Sequence, residues 1–212
     1  MPIVTISRQF GSGGSEVAAR VAGALGWTLL DNALVDAVAE QLGTTPQAVE
    51  AREERVPSLA ERLATAMTLG TPEFVPAIGV TPPPPFEDRI VEVTRRVVQR
   101  AAAEAPVVVV GRGAQSMLAE RSDALHVLCY APRHALVERV ASREGISAAE
   151  AARIVDDTNH QREQYVRRHW HRSWLAHEHY HLCLNTAWLG IDAAADLVVR
   201  LARGRFGASA EA

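Results

Sequence analysis

Lysine is absent from all 212 residues, so each of the 22 basic side chains is an arginine. Any fixed positive charge aimed at an anion must therefore come from arginine, a helix N-terminus or a metal ion. Cysteine is nearly absent as well. Cys129 and Cys183 each lie in an apolar, strand-like run, which predicts small core residues in a reducing compartment and no disulfide. No run of ~18 apolar residues occurs, which argues against a transmembrane helix. The N-terminus enters "PIVTI" without a basic, apolar leader, so a cytoplasmic protein is expected. A basic excess is also missing: the net charge is −3 and the isoelectric point about 6.2. That balance argues against nucleic acid and anionic membranes as partners, leaving small molecules and further copies of the chain.

Apolar residues make up 48% of the sequence, enough for one sizeable core in a single domain over 1–212. "PIVTIS" (2–7) reads as a strand and "SEVAARVAGAL" (15–25) as a helix closed by Gly26. "WTLLD" (27–31) is a second strand and "NALVDAVAEQL" (32–42) a second helix. Thr45 with Pro46, and Ser58 with Glu61, are helix starts. Residues 71–88 hold six prolines and no period, which predicts a mobile loop within a helical insert over 43–104. Helices are expected over 89–104, 132–145, 147–170 and 190–204, and strands over 106–114, 124–132 and 180–186. Strands that are continuously apolar imply burial on both faces, hence a parallel sheet of about five strands covered by helices.

The stretch "ISRQFGSGGSEVA" (6–18) runs from strand through glycine-rich turn to helix. Backbone amides and a helix N-terminus of this kind cradle phosphates, usually with a lysine that is missing here. Together with "GRGA", "LHVLCYAP", "ERVASREGIS", "DDTNHQREQY" and "YHLCLNT" in the same order, it resembles the cytidylate kinase-like family of P-loop nucleoside monophosphate kinases. The resemblance spans nearly the whole chain apart from the insert. It implies a three-layer α/β sandwich with a helical lid over 143–178 and the insert on the acceptor side. It also implies ATP-dependent phosphoryl transfer to a nucleoside monophosphate such as CMP or dCMP, with ATP and Mg2+.

Residue by residue, the resemblance puts donor phosphates on Gly11, Ser12, Gly13, Gly14, Ser15 and Glu16, with Gly14 where the lysine stands and Ser15 offering a hydroxyl to magnesium. Arg8 is the nearest cation able to replace the lysine. "GRG" resembles "GRD", which gives Arg112 to the acceptor and leaves Gly113 without the acid. Asp31 is similar to an acid near the acceptor. "DDTNHQR" resembles the lid signature D-x-x-D-x-x-R, with Asp156 and Arg162 matching and Asn159 in place of the middle acid. Arg139, Arg143 and Arg162, with Arg8, are the candidates for gripping the transferring group, since phosphoryl transfer needs positioning and charge neutralisation more than covalent chemistry. Arg153, Arg167 and Arg168 read as a solvated helix face. Six of eight histidines lie between His160 and His181, without metal-ligand spacing unless His177 and His181 are helical. Trp170, Trp174 and Trp188 read as packing residues. A nucleotide-binding regulator and a small-metabolite kinase are the alternative functions.

Overall fold

In the computed structural model, residues 1–46 and 86–207 are described. The helix starts expected at Pro46 and Ser58, and residues 71–85 of the proline-rich loop, lie largely or wholly outside them. The chain runs β1 (Ile3–Arg8), α1 (Gly14–Leu25), β2 (Thr28–Leu30), α2 (Asn32–Leu42), α3 (Phe86–Glu104), β3 (Val107–Val110), α4 (Ala114–Met117), β4 (Ala124–Tyr130), α5 (Arg133–Glu144), α6 (Ala148–Trp170), a 3-10 turn (His177–His179), β5 (Leu182–Asn185), α7 (Thr186–Leu189) and α8 (Ile191–Phe206).

Five parallel strands stand in the order β2-β3-β1-β4-β5. Four consecutive valines form β3 and all are buried, as strands covered on both faces require. Val108 and Val110 join Val4, Ile6, Val17, Val21 and Val198 in a core beneath α1 and α8. Val107 and Val109 turn to the other face and pack with Ile3, Val38, Ile90 and Val98, beneath α2 and α3. This is the expected three-layer sandwich.

Three expectations need correction. Helix α3 begins at Phe86, so the loop reading of 86–88 fails: the prolines stop at Pro85, and Asp88 suits the first turn of a helix. Cys129 is buried, but Cys183 is exposed, because β5 is the last strand of the sheet and one of its faces is open. Trp174 is buried as expected, whereas Trp188 is 83% exposed and packs no core. No helix among the described residues is long and apolar enough to cross a membrane.

Candidate phosphate and acceptor site

The carboxyl ends of β1 and β3, neighbours in the sheet, carry the two glycine-rich turns. Open parallel sheets place ligands at this end. After β1, the Gln9 amide bonds the Cys129 carbonyl at 3.0 Å and its side chain accepts from the Ala131 amide at 3.1 Å, which ties the loop to β4. Gly11 and Gly13 have φ of 83° and 74°, values that favour glycine. A side chain on Gly13 would fall on Ile191 and on the Arg139 guanidinium. Thr186 donates to the Ser12 carbonyl at 2.6 Å, fixing the loop's outer edge from α7. The N-cap of α1 is Gly13, which has no side chain to cap the first turn, so the turn presents backbone amides in the manner of a phosphate cradle. Ser15 and Glu16 are exposed on that turn.

Helices α5 and α6 lean on the same loop. Asn159 accepts from the Phe10 amide at 2.8 Å, and Arg162 donates to the Arg8 carbonyl at 2.8 Å. The guanidiniums of Arg143 and Arg162 lie 5.3 and 5.9 Å from the Phe10 ring, within cation–π range. Arg143 also bonds Glu144 at 2.8 Å, and Arg139 reaches the Gly11 carbonyl at 3.4 Å. All four sequence-nominated clamp arginines therefore gather around the loop. Arg153 pairs with Asp157 at an exposed helix face.

Between the two turns lies a cavity of about 20 Å³ lined by Arg8, Arg112 and Arg162 together with Ser7, Tyr165, Trp174 and Tyr180. That is the space of one water molecule. Among the described residues, no carboxylate lines it. Tyr180 donates to the Trp174 carbonyl at 2.6 Å, and burial pushes its phenol up to about 12. Arg112 is 8% exposed and has φ of 55°, between Gly111 and Gly113 at 67° each. A non-glycine residue in this region is strained, and such strain collects at functional positions.

Asp31 and Asp156 do not line this cavity. Asp31 ends β2 as the N-cap of α2. Asp156 sits on the surface, gripped by Arg133 through two hydrogen bonds of 2.7 and 3.0 Å, and this cation holds its carboxyl below the usual range. His177 lies in the 3-10 turn, whereas His181 lies beyond it and stacks on His126 at 5.1 Å.

The cytidylate kinase-like family model matches residues 3–187. The chain belongs to the cytidylate kinase-like family. Among solved structures, an uncharacterized protein from Eubacterium ventriosum is similar at TM-score 0.68 and 19% identity, covering 95% of this chain and 98% of that one. Shikimate kinase from Bacteroides thetaiotaomicron is similar at TM-score 0.52 and 14% identity, with 94% and 97% covered. A gluconokinase from Sinorhizobium meliloti follows at TM-score 0.50 and 15% identity, with 98% and 97% covered. These likenesses establish a P-loop kinase fold. No protein of curated function matches the sequence. Family membership supports a phosphotransferase in general.

Two departures from the family's motifs acquire a physical reason. A side chain on Gly14 would fall on Cβ of Arg8 and lie 3.1 Å from its Cγ and 3.2 Å from Cβ of Cys129. The stem of Arg8 thus fills the room a lysine at 14 would need. A side chain on Gly113 would likewise fall on the Trp170 ring. Phe10, Asn159 and Thr186 were not nominated from the sequence as binding or catalytic residues. Their roles run through contacts more than a hundred residues apart in the chain, which no local spacing encodes.

Proposed function

We propose that this protein is an ATP-dependent phosphotransferase that phosphorylates a nucleoside monophosphate, CMP or dCMP being the leading acceptors. The observation that carries the reading is the convergence of Arg8, Arg112 and Arg162 on one cavity at the ends of β1 and β3. Guanidinium groups grip two phosphate oxygens at once and stay charged at every working pH. In this reading the amides of 11–15 hold the donor phosphates. Arg8 takes over the charge of the missing lysine, Arg112 binds the acceptor, and Arg139, Arg143 and Arg162 neutralise the transferring group. The Ser15 hydroxyl and Glu16 carboxylate are hard oxygen donors on one exposed turn, and they fit Mg2+, which takes one or two protein oxygens beside phosphate oxygens. When bound, magnesium supplies further neutralisation of phosphate charge.

A catalytically weak nucleotide-binding protein is the second reading, favoured by the glycines at 14 and 113. Purified protein with Mg·ATP and a panel of nucleoside monophosphates, shikimate and gluconate separates them. ADP release stimulated by CMP or dCMP supports the first reading. ATP binding by thermal shift without any stimulated release supports the second. Release stimulated only by a non-nucleotide makes the protein a small-metabolite kinase. Arg112→Ala is expected to raise the acceptor KM with ATP binding kept, and loss of ATP binding instead would put Arg112 on the donor side.

A further inference from the structure

We infer that Trp170 positions Arg112, and that the indole on Gly113 takes the place of the acid that ends the family's "GRD" motif. This rests on reading the arginine-lined cavity as the acceptor's anion site. Gly111, Arg112 and Gly113 are three successive left-handed residues, with φ of 67°, 55° and 67°. Backbone bonds tie the turn to its surroundings, from the Gly111 amide to the Ile6 carbonyl at 3.0 Å, the Ala114 amide to the Gly111 carbonyl at 2.9 Å and the Met117 amide to the Gly113 carbonyl at 2.9 Å, and it leads into a helix of only four residues. The conformation at Arg112 is one that an arginine rarely adopts, so packing against the turn bears on how well it is held. A side chain from the far end of α6 adds to these restraints: Trp170, the last residue of that helix. A Cβ on Gly113 would clash with two of its ring carbons and approach Cε3 to 3.0 Å, so the indole lies against the backbone of the turn. The ring is itself braced edge-on by Tyr165 at 5.5 Å and His169 at 5.7 Å, and Tyr165 lines the cavity. The end of the lid helix thereby presses the turn from behind and holds the Arg112 guanidinium, 8% exposed, at the cavity. A side chain at 113 and this indole are mutually exclusive, which links the lost acid to the tryptophan.

The test titrates CMP and inorganic phosphate calorimetrically into wild type, Trp170→Ala, Trp170→Phe, Gly113→Ala and the double variant Gly113→Ala/Trp170→Ala, with ATP-induced thermal shift in parallel. Trp170→Ala is expected to weaken CMP binding on the order of ten- to a hundredfold, the scale of misplacing a contact group by about 1 Å. The ATP shift is expected to persist, and Trp170→Phe to recover most of the loss. Where transfer is measurable, the change falls on the acceptor KM more than on kcat. Gly113→Ala is expected to harm less in the Trp170→Ala background than in the wild type, since the clash is then gone. Unchanged CMP and phosphate affinity in Trp170→Ala, or binding of neither by wild type, overturns the inference. A wild type that binds CMP but transfers nothing overturns the proposed activity alone, because the binding series still reads the positioning.

Discussion

Gly14 and Arg8 are best understood as one unit. The stem of Arg8 crosses the place where a side chain at 14 would begin, so the loop cannot carry both an arginine at 8 and a lysine at 14 without moving. Gly14→Ala is expected to cost about 1–3 kcal/mol, the range of overpacking in a tight site, measured by chemical denaturation. Gly14→Lys alone is expected to lose ATP-dependent thermal stabilisation, and Arg8→Gly/Gly14→Lys to recover part of it, since neighbours in contact are non-additive. Equal losses in the single and double variants would separate the two positions. Gly13 makes a sharper case. Its φ of 74° and the closeness of Ile191 and Arg139 lead Gly13→Val to abolish the ATP shift, and an unchanged shift would remove the loop from the donor site.

At the scale of elements, the central strands carry a titratable group the reaction does not use. His126 on β4 lies opposite Thr5 on β1 and shares a 2.8 Å hydrogen bond with its hydroxyl. It is 2% exposed, and burial, with the neighbouring His181 and Arg172, pulls its imidazole down to about 4. The folded chain thus resists a proton that the unfolded chain takes up near pH 6.5. Stability is full above pH 6.5 and falls as pH drops towards 4, with a slope of up to about 1.4 kcal/mol per pH unit. Denaturation midpoints between pH 4.5 and 7.5 are expected to show this slope, and His126→Leu to flatten it. Elements of this kind were legible in the sequence, because buried parallel strands are continuously apolar and helices end at glycines such as Gly26 and Gly43. The long α6 was legible from its N-terminal signature, where the Ser147 hydroxyl accepts from the Glu150 amide at 3.2 Å. What stayed hidden were the short α7, too brief for a period, and the exposure of Cys183, which depends on strand order and not on local composition.

For the whole molecule, the sheet brings into register two turns a hundred residues apart, and α5 and α6 set arginines against the first of them. The glycine loops, Arg112 and the lid arginines could be nominated from motif order alone. Their convergence could not, because it depends on β1 lying beside β3 and on α6 returning across Arg8 and Phe10. The central claim is that arginine replaces lysine as the cation that stabilises the transferring phosphoryl group. Single-turnover transfer from Mg·ATP to CMP, with wild type and Arg8→Ala compared at matched melting temperature, tests it most directly. Wild type is expected to transfer, and Arg8→Ala to be slower by ~10³-fold or more, the scale of losing an arginine finger. Equal rates in the two proteins, or a wild type that binds ATP and transfers nothing, would contradict it.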